Sequence, residues 1–100
     1  MIRGTTPTHT FTIPFEASDI EVARVIYSQN DKEIFTKTAA ECALIDKSIS
    51  VKLTQEETFL FNCNYPVQIQ LRGKMKGIDE IRATDIILVP VGKCLENEVL

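Results

Sequence analysis

Tryptophan is absent from this 100-residue chain, and histidine occurs once, at His9. The two tyrosines, Tyr27 and Tyr65, lie far apart in the sequence. An aromatic platform for stacking bases or sugars is therefore not indicated. The four glycines are scattered and build neither G-x-G-x-x-G nor G-x-x-x-x-G-K, so no phosphate-cradling loop is present. Three cysteines, Cys42, Cys63 and Cys94, are an odd number with no close pair. Structural zinc sites bring ligands in as C-x₂₋₄-C pairs, which makes a Cys₃His site with His9 a poor reading. Free thiols in a reducing compartment are the expectation.

Long apolar runs are missing too. No stretch approaches the roughly 18 apolar residues that a membrane helix needs. MIRGTTPTHT has an arginine but no apolar h-region. The expectation is a protein made and kept in the cytoplasm, with no membrane partner. Positive charge is short as well. Eleven Lys and Arg against fourteen Asp and Glu give a net charge of −3 and a pI near 5.1, which argues against a nucleic-acid partner.

Catalytic arrangements are equally thin. A Ser–His or Cys–His nucleophile would have to use His9, which has no acidic neighbour in the sequence. The adjacent carboxylates Glu56–Glu57 and Asp79–Glu80 point apart in a helical turn or strand, unlike the facing pair of a glycosidase. No catalytic residue, cofactor or metal ligand is expected.

The remaining pattern concerns fold. One hundred residues make a single domain, with residues 1–8 as an arm or irregular edge and 93–100 as a tail. Phe11, Ile13 and Phe15 alternate with threonines, a half-buried strand that ends at Pro14 and the 16–19 turn. Residues 20–29 admit a helix start at Ser18–Glu21, but Val22, Val25, Ile26 and Tyr27 favour a pleated surface, so a strand is expected. A turn at 29–31 leads into a strand over 32–38. Thr38-Ala-Ala-Glu41 resembles a helix start, yet the alternation through Asp46 favours a hairpin with its turn at Asp46–Lys47. Ile49, Val51 and Leu53 form the next strand. Thr54-Gln-Glu-Glu57 reads as a capping box that opens one helical turn. Val67, Ile69 and Leu71 then share one face of a strand, with Gln68, Gln70 and Arg72 on the other. Tyr65 has the parity of Val67 and should point inward, as the corner tyrosine of an immunoglobulin-like sandwich does. The last strand is expected over 82–91, at an edge because of Pro90. About seven short strands with one helical turn predict an all-β, immunoglobulin-like antiparallel sandwich.

Two surfaces follow. The last strand is apolar on both sides, which makes Ile86, Ile87, Val89 and Val91 a possible protein interface. Gln68, Gln70 and Arg72 form a possible binding face for a small ligand or carbohydrate.

The segments RGTTPTHTFTIPF, ISVKLTQEETFLF, VQIQLR and ATDIILVPVGKCLENEVL resemble small uncharacterised proteins of phages and prophages of low-GC Gram-positive bacteria. More loosely, the chain is similar to the immunoglobulin-like N-terminal domain of phage baseplate upper proteins. The resemblance implies a virion-structure or assembly role of the tail or baseplate type. It also implies self-association or other phage structural proteins as partners, in the host cytoplasm or in the particle. None of these motifs is catalytic.

Overall fold

The computed structural model describes all of residues 1–100. The strands are β1 (Thr8–Thr12), β2 (Ile20–Gln29), β3 (Lys32–Thr38), β4 (Ala43–Ile45), β5 (Ser48–Lys52), β6 (Val67–Met75), β7 (Ile81–Ala83) and β8 (Ile87–Val89). One helix, α1 (Gln55–Phe59), and 3₁₀ turns at Ala17–Asp19 and Ala39–Glu41 complete the elements. Two antiparallel sheets result. One runs β1-β5-β4; the other runs β3-β2-β6, with β7 and β8 both against the far side of β6.

Alternation drives this arrangement. Val25 and Tyr27 from β2, Ile49 and Val51 from β5, and Val67 and Ile69 from β6 are at most 2% exposed and meet between the sheets. Each such side chain contributes roughly 1.5–3 kcal/mol on burial. The helix alternative for residues 20–29 loses because β2 is central. It pairs with β3 on one side and with eight residues of β6 on the other, so its backbone groups are satisfied across strands. Its β-branched side chains pack on a pleated surface.

The turns carry their own chemistry. Asn30 and Asp31 adopt φ of 51° and 61°, the left-handed pair of a two-residue hairpin that matches strand twist. Asp46, at φ 50°, turns β4 into β5. Both readings of residues 38–48 hold in part: a capped 3₁₀ turn comes first, then the hairpin. The Thr54 box forms as read. The Glu57 N–H donates to Thr54 Oγ1 at 3.2 Å, and the Thr54 N–H donates to Glu57 Oε1 at 2.9 Å.

Two expectations change. Tyr65 does not face the core: it is 44% exposed. β6 begins only at Val67, and residues 62–66 form a turn ending in Pro66, so strand parity does not extend back to Tyr65. The expected last strand is broken. From the Ala83–Arg72 pair to the Ile87–Ile69 pair, the edge takes four residue steps against three on β6, a bulge of one residue. Thr84 fills the gap. Its N–H donates to Leu71 O at 2.9 Å, and its Oγ1 accepts from the Leu71 N–H at 3.1 Å. Of the two readings of the first residues, arm or irregular edge, the edge is the one found. Ile2 bridges Gly92 in parallel, and the Arg3 N–H donates to Gly92 O at 3.1 Å.

Candidate functional site

The outer face of the five-stranded sheet is laid out by register, because directly paired residues share a face. One row reads Val22, Lys74, Ile81. The next reads Thr38, Arg24, Arg72, Ala83. A third joins Ser28, Gln68 and Leu88. Val22, Lys74 and Ile81, with Arg24 and Arg72, line a shallow groove of about 220 Å³ at one end of the face. Arg24 and Arg72, both exposed, stand opposite each other and have no carboxylate partner. Lys74 has one, Glu21, at 3.5 Å.

The residues proposed as a binding face divide. Gln68 accepts from the Asp31 N–H at 3.0 Å, accepts from Ser28 Oγ at 3.1 Å and donates to Asp31 Oδ1 at 3.0 Å. It holds the β2–β3 turn. Gln70 donates to Thr84 O at 2.9 Å and steadies the bulge. Only Arg72 is left open to solvent.

The residues proposed as an interface also divide. Ile86 and Ile87 are 55% and 44% exposed, beside Leu88 at 60% and Ile81 at 60%. Val89 and Val91 are half-buried and pack on the core instead. The bulge explains the split. It leaves Leu88 outward with Gln68, while Ile87 and Val89 sit on the inner side with Ile69 and Val67.

A second polar cluster lies between the sheets at the α1 end. The Tyr27 hydroxyl is 2.8 Å from His9 Nδ1. The neutral ring with its proton on Nε2 leaves Nδ1 free to accept that hydroxyl. Burial, and then the positive chain terminus, hold His9 below its ordinary value. Burial, with the charges of Cys42 and Glu57 adding, pushes the Tyr27 phenol up. Nearby, Lys37 pairs with both Glu57 and Glu41, the two capping-box carboxylates. Partial burial works to raise Glu57, but hydrogen bonds from Lys37 and Thr54 outweigh it and the group ends low. Cys42 is pushed up, first by burial and then by Glu41. All three thiols are unpaired, and no three His, Cys, Asp or Glu side chains are grouped to hold a metal ion.

A cleft of about 240 Å³ opens where the sheets splay, among Ile13, Phe15, Ile20, Leu71 and Met75, with Lys74 and Arg82 at its rim. No helix is long and apolar enough to cross a membrane.

Sequence reading overlooked two residues here. Arg24 gains meaning only from its register with Arg72, which no local pattern contains. Gln29 reads as a turn residue; in the fold it is 5% exposed and bonded to the backbone of the loop after α1.

No family model matches the chain, and no curated protein matches it. Among solved structures it is similar to the immunoglobulin-like domain of mouse leukocyte-associated immunoglobulin-like receptor 1, described as a strand-swapped dimer. The identity is 12%, the TM-score is 0.53, and the match covers 93% of this chain and 85% of that one. The fold is thus an immunoglobulin-like sandwich. β1, β5 and β4 stand as strands B, E and D; β3, β2, β6 and the β7–β8 edge stand as C′, C, F and G. No cysteine lies on β1 or β6, the strands that carry the inter-sheet disulfide of antibody domains, and Phe11, Ile49 and Ile69 fill the space with apolar contact.

Proposed function

We propose that this chain is a non-catalytic contact module that docks onto other proteins, copies of itself included, through the outer face and broken edge of its five-stranded sheet. One observation carries the reading. Ile81, Ile86, Ile87 and Leu88 are 44–60% exposed along one edge, where a lone domain offers them only water. Apolar clusters of this kind mark interaction surfaces, and an edge strand also presents unpaired backbone groups. The phage-like segments supply the setting: a virion-assembly protein whose partners are other structural components of a tail or baseplate. The strand-swapped dimer of the mouse domain is a precedent for strand-mediated association in this fold.

A second reading, a module for a small ligand, draws on the apolar cleft of about 240 Å³. That volume falls below the roughly 300–1,000 Å³ of usual small-molecule sites, and Gln68 and Gln70 are engaged by their own chain, which favours the contact reading.

The test is pull-down of virion components from a producing lysate, with wild type and an Ile81→Ser, Leu88→Ser variant compared by mass spectrometry. Defined structural proteins retained by wild type and lost by the variant support the reading. Equal capture by both removes it.

A further inference from the structure

We propose that the acidic segment Leu95–Leu100 of one copy docks on the Arg24–Arg72–Lys74 groove of the next, joining chains head to tail. The inference rests on the contact-module reading and names its partner.

The groove carries unbalanced charge. Arg24 faces Arg72 directly in the ladder, an arrangement that destabilises a sheet unless an anion offsets it. Glu21 reaches only Lys74, at 3.5 Å. Val22 and Ile81, at 46% and 60% exposed, flank Lys74 in the same row. The groove therefore suits an extended peptide with two carboxylates and an aliphatic residue.

Leu95-Glu-Asn-Glu-Val-Leu100 has that chemistry. Drawn out as a strand, with its bends at Leu95 and Glu98 straightened, the segment would carry Glu96 and Glu98 on one side about 6.7 Å apart, the same spacing as Arg72 and Lys74 along β6. Leu100, next of that parity, then falls one row past Val22 and Ile81, about 6.7 Å further along β6. Neither glutamate forms an ion pair within its own copy, and Leu95 and Leu100 are 106% and 95% exposed. The segment is held by three hydrogen bonds that leave both glutamates free: Gln55 Oε1 accepts from the Leu100 N–H at 2.8 Å, Gln55 Nε2 donates to Leu100 O at 3.5 Å, and Arg3 donates to Asn97 Oδ1 at 3.3 Å.

Placement makes the contact heterologous. Gln55 sits at the Val67 end of β6 and the groove at the Lys74 end, so each copy offers its acidic segment at one end and its groove at the other. Such contacts propagate as an open string unless the rotation closes a ring.

Light scattering on the full chain across a range of concentrations tests this, with circular dichroism confirming each variant's fold. Wild type is expected to grow in mass with concentration. Raising salt from about 0.1 M to about 1 M shortens the Debye length from about 10 Å to about 3 Å and should weaken association about tenfold. Arg72→Glu alone and Glu96→Lys, Glu98→Lys alone should each stay monomeric. Mixed together they should stop at a 1:1 pair, because only one complementary contact survives. Self-association that ignores salt and both variants overturns the proposal but leaves the apolar-edge contact standing. A wild type that stays monomeric at every concentration also overturns it, while lysate capture still decides the contact reading.

Discussion

The side-chain amide of Gln29, at the end of β2, clasps the backbone of Asn62 from both sides. Its Nε2 donates to Asn62 O at 2.7 Å, and its Oε1 accepts from the Asn62 N–H at 2.8 Å. The same Nε2 donates to Tyr65 O at 2.9 Å. The corner between α1 and β6 is therefore held by a glutamine reaching in from β2. Gln29→Leu should destabilise the fold on the order of 3 kcal/mol, since three bonds are lost and buried loop groups lose their partner. Tyr65→Phe should stay within about 0.5 kcal/mol, as expected for an exposed side chain. Urea midpoints of the two variants check both; equal values would return the corner role to the tyrosine.

Lys37 joins the two capping boxes through Glu41 and Glu57. Thr54→Ala should cost about 1 kcal/mol through the lost cap. Glu57 titrates below its ordinary 4.5 in the fold, so its contribution is present above pH 4.5 and is lost as pH falls through the lower folded value. Lys37→Met should flatten that acid limb. Chemical denaturation at a series of pH values checks the slope.

His9 is held below its ordinary 6.5 beside the buried Tyr27 hydroxyl. The unfolded chain takes up a proton first, so stability is full above pH 6.5 and declines as pH falls from there through the folded value. His9→Gln should remove this limb without altering the one due to Glu57. Melting temperatures between about pH 7 and pH 5 separate the two, because a histidine limb lies above a carboxylate one.

Burial predicts a contrast on one sheet. Ile69→Ala, at 2% exposed, should cost 2–5 kcal/mol by transfer and cavity. Leu88→Ala, at 60% exposed, should leave stability within about 0.5 kcal/mol. Paired denaturation curves check this; a large loss at Leu88 would mean that the edge is buried within one copy.

Much of the fold was legible. The strand over 32–38, the Thr54 box and the alternation of Val67, Ile69 and Leu71 were readable because each depends on neighbours a few residues apart. The break at Thr84 was not: a threonine replaces a ladder partner only when a particular strand lies opposite. Tyr65 misled because parity was carried across Pro66, where the chain leaves the sheet. The candidate site was half legible. Exposed apolar residues near Ile87 could be found, whereas the Arg24–Arg72 opposition is a property of register.

Local periodicity by itself committed this polypeptide to two stacked β layers, because apolar residues two apart can be hidden together only on one side of a pleated strand. Which polar side chains became structural clasps and which stayed open was set by the packed sheets. Gln29, Gln68 and Gln70 are chemically alike to Gln55, and long-range contacts alone assign one to a corner, one to a hairpin and one to a bulge. The same contacts left Arg24 and Arg72 facing each other, because strand pairing follows backbone hydrogen bonds and buried faces, and the outward charges follow where that pairing puts them.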